Sequence, residues 1–162
     1  DARYFPQLFQ HRLFGRAVLP ASAYVELALA AAGPDPMSVT GLTFERALAL
    51  AEAAPWTEAQ LVLDAAPDGS RHFRLYSRAA GDWTLHATGR LVPAAPEPEA
   101  APPIVPEALR LTLPEHAAGP DFYRRFEPLG VAYGPELQGV AEVWWSQRAA
   151  LANAQGGLRD CG

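Results

Sequence analysis

The 162-residue chain contains one cysteine, one methionine and no lysine. With Cys161 as the only cysteine, an internal disulfide and a metal site built from several cysteines are both excluded. Such a composition is typical of a reducing compartment, so we expect a cytoplasmic location. The sequence has no apolar run of about 18 residues that would predict a membrane span, and no secretion signal is recognisable. Because the first residue is Asp1, we expect the sequence to be a piece of a longer protein.

Positive charge is also scarce. The chain has 13 basic residues, all of them arginine, against 18 acidic residues, which gives a net charge of −5. No segment concentrates the arginines, whereas nucleic acid binding depends on concentrated positive charge against phosphates. We therefore expect neither a nucleic acid nor a membrane as a partner. The 49% of apolar residues is sufficient for one globular domain with a good core.

Residues 11–32 combine one histidine with an almost wholly apolar segment. Pro20 suits the first position of a helix, and Gly33-Pro34 ends the apolar segment. A helix that is apolar on nearly every face must be covered on nearly every face. At about 13 residues it is too short to span a membrane. We therefore predict a central helix from Pro20 to Ala32, enclosed by a sheet, with His11 delivered by the preceding loop.

The rest of the chain predicts further strands and one long connector. After the helix, alternating or β-branched residues predict four strands, at residues 38–50, 60–64, 71–78 and 83–92. Pro67-Asp68-Gly69 predicts the turn between the second and third. The proline-rich residues 93–107 predict an extended surface connector. Beyond the connector we predict a short helix, a final strand and an irregular tail, at residues 121–127, 137–145 and 146–162.

The spacing His11-x3-Gly15-x4-Pro20 resembles the signature of the dehydratase domains of modular polyketide synthases. The apolar residues 23–30 follow at once, as they do in that family. Further similarities occur in family order at residues 44–48, 83–89 and 133–139, so the resemblance runs from about residue 3 to residue 145. It implies an α+β hot-dog fold, in which a curled antiparallel sheet surrounds a central helix. Residues 1–145 would form the amino-terminal unit of a double hot-dog, with the second unit absent from this sequence.

The resemblance implies elimination of water from a β-hydroxyacyl thioester carried by an acyl carrier protein. Such a reaction needs a base, an acid and a donor for the thioester carbonyl. His11 is the candidate base, because histidine exchanges protons near neutral pH, and Tyr133 is a candidate supporting donor. A free backbone N–H in the loop from Gly15 to Leu19 would bind the carbonyl. The predicted substrate-binding residues are Gly15, Val18, Leu19 and Pro20, with no metal and no redox cofactor.

Each of these residues also has a plain structural interpretation. In that interpretation, His11 bonds a loop carbonyl and Tyr133 packs at a turn. We expect His72 and His86 to be ordinary residues of the sheet. Arg124 and Arg125 would suit the phosphate of a phosphopantetheine arm, yet paired arginines on a helix are more often solvated.

One part of the family's chemistry is missing from the sequence. In the family, the acid is an aspartate on a helix of the second hot-dog unit, with His or Gln four residues later. No such helical segment is recognisable here, so we expect little or no turnover from this chain alone. Double-bond migration and ring closure would use the same base, whereas a hot-dog thioesterase fits the motif less well. The alternative is a non-catalytic remnant that serves dimerisation or module architecture.

The predicted partners follow from the same resemblance. They are the acyl carrier protein with its β-hydroxyacyl substrate and the neighbouring polyketide synthase domains. A hot-dog unit without its second half leaves a sheet edge uncovered, so we also expect a homodimer.

Overall fold

The structure is a computed structural model that describes residues 5–52, 56–95 and 105–154. The helices and strands in chain order are β1 (His11–Leu13), β2 (Arg16–Ala17), α1 (Ala21–Ala32), β3 (Met37–Phe44), β4 (Glu58–Ala65), β5 (Arg71–Ala79), β6 (Asp82–Pro93), α2 (Pro106–Arg110), β7 (Glu115–Ala118), α3 (Gly119–Arg124), β8 (Val131–Tyr133), β9 (Val140–Trp145) and β10 (Ala150–Ala154). Short 3-10 helices cover Pro6–Gln10, Glu127–Leu129 and Pro135–Leu137. The described residues form two compact units, the first with residues 5–9 and 16–95 and the second with residues 10–15 and 105–154.

The first unit is a four-stranded antiparallel sheet with α1 on one face. The strand order is β3-β6-β5-β4, and bulges interrupt the pairing between Thr40 and Thr43 and between Leu75 and Tyr76. Bulges bend a strand and increase its twist. The predicted antiparallel sheet carrying the helix is confirmed. Its core is formed by apolar side chains of α1, β5 and β6, namely Tyr24, Ala28, Ala32, Phe73, Leu75, Ala87 and Leu91.

Helix α1 differs from its prediction in two respects. It begins at Ala21, with Pro20 as the extended residue before it, and Gly33 ends it at a φ of 86°. Only one stripe of the helix is buried, at Tyr24, Ala28 and Ala32, while Leu27 is 43% exposed. The prediction that nearly every face is covered is therefore wrong for the part of the chain that the structure describes. Half of the helix is alanine, and alanine methyl groups need little cover.

The turn between β4 and β5 follows its prediction. Asp68 accepts hydrogen bonds from the backbone N–H of Ser70 at 3.0 Å and from its hydroxyl at 2.5 Å, and Arg90 pairs with the same carboxylate. Gly69 has a φ of 79°, which glycine adopts without strain. The predicted strand at residues 38–50 is shorter than expected, since β3 ends at Phe44.

The second unit contains two small antiparallel sheets. Strand β1 pairs with β8, and β9 lies between β7 and β10. Helix α3 packs closely on β9, since a Cβ added at Gly119 would lie 2.1 Å from the carbonyl oxygen of Val140. The unit's buried apolar residues are Leu113, Val143 and Trp144.

Several predictions for the second unit need correction. His11 lies in strand β1 instead of a loop, and a 3-10 helix precedes it. The predicted helix at residues 121–127 covers Gly119–Arg124 instead, and the predicted final strand begins at Val140 instead of residue 137. The tail is not irregular throughout, because β10 pairs with β9. Most of the predicted connector, residues 96–104, lies outside the described residues.

Candidate active site

The side chains of His11 and Tyr133 lie beside each other. The two residues are directly opposite in the antiparallel pair of β1 and β8, and opposite residues project to the same face of a sheet. Their ring centroids are 5.5 Å apart, with the ring planes tilted by 43°. Both residues are partly buried. The structure thus brings together the two side chains that were predicted for the reaction centre.

Gln10 holds the end of β8 close to the start of β1. Its carbonyl oxygen accepts a hydrogen bond from Gly134 N–H at 2.8 Å, and its side-chain Oε1 accepts one from Glu136 N–H at 3.0 Å. A Cβ added at Gly134 would lie 2.4 Å from that Oε1. The φ of −74° at position 134 is open to other residues, so the backbone does not demand glycine there. Glycine is required instead by the close contact with Gln10. This contact fixes the position of the residue next to His11.

The turn after β1 uses glycine for a different reason. Phe14 and Gly15 have φ values of 49° and 78°, in the left-handed region that glycine adopts readily. A Cβ at Gly15 would meet nothing within 4 Å, so space does not demand glycine there. The Arg12 guanidinium donates to the carbonyl oxygen of Gly15 at 2.7 Å, and Phe14 N–H donates to that of Gly130 at 2.6 Å. These bonds hold the turn that follows the strand of His11.

Aromatic residues of α3 and of the residues after it surround the Tyr133 ring. Tyr123 and Phe126 contact it edge-on, with centroids at 5.6 and 5.8 Å. Phe122 contacts both of those rings, at 5.3 and 5.2 Å. The hydroxyl of Tyr123 accepts a hydrogen bond from Val140 N–H at 3.1 Å. Tyr123 is not among the predicted site residues, although the helical spacing of the aromatic residues at 122, 123 and 126 is visible in the sequence.

The predicted substrate-binding residues Val18, Leu19 and Pro20 belong to the first unit. Val18 is buried and forms an isolated bridge with Ala49. Leu19 N–H donates to the carbonyl oxygen of Leu48 at 2.9 Å. The Leu19 amide is therefore not a free donor for a thioester carbonyl, which corrects the prediction at that position. Pro20 has no N–H. It is the N-cap residue of α1 and makes no side-chain capping hydrogen bond.

Two of the other histidines, His86 and His116, have side-chain partners. His86 is buried, with one ring nitrogen 2.7 Å from the Ser77 hydroxyl and the other 2.9 Å from the Arg46 carbonyl oxygen. His116 stacks on Trp144 at 4.9 Å and lies 3.4 Å from a Glu142 carboxylate oxygen. In the described ranges, no group of three or more His, Cys, Asp or Glu side chains is placed to hold a metal ion.

The charged residues of α3 are engaged with near neighbours. Arg124 pairs with Asp121 on the same helix, and Arg125 lies over the Trp145 ring at 4.6 Å. Among the described residues, Asp121 is the one aspartate within a helix. Its pairing and the arginine four residues later distinguish it from the acid that the resemblance implies.

The helix on an antiparallel sheet in the first unit, and the histidine beside a tyrosine in the second, both agree with the expectation of a hot-dog dehydratase domain. Two family models match the chain: a polyketide synthase dehydratase domain at residues 2–78 and a polyketide synthase dehydratase N-terminal domain at residues 101–158. Together they match most of the sequence. The chain belongs to the polyketide synthase dehydratase family.

The individual relatives agree. Polyketide synthase GfsB of Streptomyces halstedii is 36% identical over 163 residues, which cover 96% of this chain and 3% of that protein. The dehydratase domain from the CurF module of curacin polyketide synthase shares the fold, with a TM-score of 0.82, 24% identity and coverage of 95% of this chain and 57% of that one. The dehydratase domain of a mycocerosic acid synthase-like polyketide synthase matches with a TM-score of 0.81 and 26% identity, and the match covers 95% of this chain and 55% of that one. The chain thus spans a small part of its curated relative and about half of each solved domain.

Proposed function

We propose that this chain is the amino-terminal half of a dehydratase site in which His11 is the base. The observation that carries this proposal is the placement of the imidazole beside the Tyr133 ring, at 5.5 Å, in a register that pairs the two residues. A neutral imidazole nitrogen takes the α-proton of a β-hydroxyacyl thioester. The electrons of the broken C–H bond form the α,β double bond, and the β-hydroxyl leaves with a proton as water.

Charge develops on the thioester oxygen during this step and needs a donor. The Tyr133 hydroxyl is the proposed supporting donor. The proposed thioester-binding segment comprises Gly15, Val18, Leu19 and Pro20. The Leu19 amide is not a donor in it, because that N–H donates to the Leu48 carbonyl oxygen.

The leaving hydroxyl needs an acid, which we infer comes from outside the residues described here. Asp121, the one described aspartate within a helix, is paired with Arg124 and has arginine four residues later instead of His or Gln. We therefore propose that the 162-residue chain alone turns over little or no carrier-bound substrate. The proposed partners are the acyl carrier protein, the neighbouring polyketide synthase domains and a second copy of the chain.

The test is a substitution in the complete polyketide synthase that contains this chain. His11→Ala should leave the hydroxyl group on the carrier-bound intermediate, read by mass spectrometry as retention of water. His72→Ala, on the sheet of the first unit, is the matched control and should still give the unsaturated product. If both variants dehydrate like the parent, the chain is instead a non-catalytic remnant that serves dimerisation or module architecture.

A further inference from the structure

We propose that Tyr123 is a positioning residue that holds Tyr133 against His11. This inference rests on the proposed function, since it concerns the geometry of the same site. Tyr123 does not contact His11 in any described ring pair and acts through Tyr133.

The contacts form a chain from the sheet to the imidazole. Val140 N–H, at the start of β9, donates to the Tyr123 hydroxyl at 3.1 Å. The Tyr123 ring contacts the Tyr133 ring edge-on at 5.6 Å, and the Tyr133 ring contacts His11 at 5.5 Å. The Tyr123 hydroxyl is thus fixed by β9, and the Tyr123 ring restrains the Tyr133 ring.

The backbone beneath Tyr123 has little freedom to move. Gly119 lies so close to β9 that an added Cβ would meet the Val140 carbonyl oxygen at 2.1 Å. Strand β9 therefore holds α3 through two contacts with Val140, one at the start of the helix and one through the Tyr123 hydroxyl. A ring carried on such a helix restrains the position of Tyr133 more tightly than a ring carried on a loop.

Tyr133 needs this support because its own strand is short. Strand β8 has three residues, and Tyr133 is the last of them. The Gln138 side chain donates to the Tyr133 carbonyl oxygen at 2.7 Å, which fixes the backbone and not the ring. The direction of the ring is set by Tyr123 and by Phe126, whose centroid lies 5.8 Å away.

The first test uses NMR on the 162-residue chain, where no activity is required. In Tyr123→Leu, the cross-relaxation between the His11 and Tyr133 ring protons should be lost, and the His11 ring resonances should shift. Tyr123→Phe keeps the ring but loses the hydroxyl anchor, so the signal should weaken without disappearing. Trp83→Leu removes a ring of the first unit that is 45% exposed and contacts neither Tyr123 nor Tyr133 in the described ring pairs, and it should leave the signal unchanged.

An unchanged His11–Tyr133 signal in folded Tyr123→Leu would overturn the inference. If that variant does not fold, an unchanged signal in Tyr123→Phe would overturn it equally. In the complete polyketide synthase, Tyr123→Leu should lower kcat about 10- to 100-fold with KM nearly constant, because displacement of a catalytic group by about 1 Å has effects of that order. Altered NMR signals with unaltered kcat would keep the positioning role and refute the proposed chemistry.

Discussion

Replacement of Gly134 by alanine should destabilise the second unit through contact with Gln10. The φ of −74° allows alanine, so backbone strain is not the cause. The added Cβ would lie 2.4 Å from Gln10 Oε1, 2.6 Å from its Cβ and 2.8 Å from its Cδ. The Oε1 can rotate away, whereas the Cβ can move only with the backbone next to His11.

The size of the effect follows from two contributions. Overpacking of this kind costs about 1–3 kcal/mol. Rotation of Gln10 also breaks its bond from Glu136 N–H, which contributes about 0.5–1.5 kcal/mol. We expect Gly134→Ala to lower the free energy of unfolding by about 2–4 kcal/mol.

The assay is urea unfolding followed by tryptophan fluorescence. Trp56 and Trp83, which are 69% and 45% exposed, are first replaced by phenylalanine, so that Trp144 and Trp145 of β9 report on the second unit. Gln10→Ala in combination with Gly134→Ala should not restore stability, because the contact between the two Cβ atoms remains. Gln10→Gly in the same combination should restore most of it. A Gly134→Ala variant within about 0.5 kcal/mol of its parent, or no recovery with Gln10→Gly, would refute the steric reasoning.

Two further predictions concern pH dependence in the first unit. Burial raises the pKa of Tyr24 above 10.0, although the hydrogen bond from Leu48 N–H opposes the shift. The contribution of Tyr24 to stability is therefore full below about pH 10 and is lost as pH rises through the folded pKa. Thermal unfolding of Tyr24→Phe should show no such alkaline loss, but the unpaired Leu48 N–H should cost about 1–3 kcal/mol. Hydrogen bonds from the Ser70 hydroxyl and backbone N–H, together with Arg90, lower the pKa of Asp68 below 3.8. The contribution of Asp68 to stability is therefore present above that pH and is lost as pH falls through the folded pKa. Asp68→Asn should flatten the acid limb of a curve of Tm against pH, and an unchanged limb would contradict the assignment.

The elements that the sequence predicts best are those whose local signals agree with their packing. Helix α1 has proline before it and glycine after it, and strands β4, β5 and β6 extend only slightly beyond their predicted bounds. The turn at Asp68 has the residues that such a turn requires. In each case, a short stretch of sequence contains the whole signal.

The misses depend on residues far apart in the chain. Strand β10 is rich in alanine, which has a low strand propensity, and it forms because β9 offers a partner. The Leu19 amide is engaged by Leu48, nearly 30 residues later in the sequence, and no local pattern announces that bond. The pairing of His11 with Tyr133 is of the same kind. The resemblance selected both residues, but only the folded chain shows their contact.

The assignment of His11 as the base is tested most directly by the release of deuterium from a carrier-bound β-hydroxyacyl substrate labelled at the α-carbon. In the complete polyketide synthase, the parent should release the label together with water. His11→Ala should slow release about 10²- to 10⁴-fold, which is the usual contribution of a positioned base. Release at the parent rate from a folded His11→Ala variant would show that another group removes the α-proton and would contradict the account.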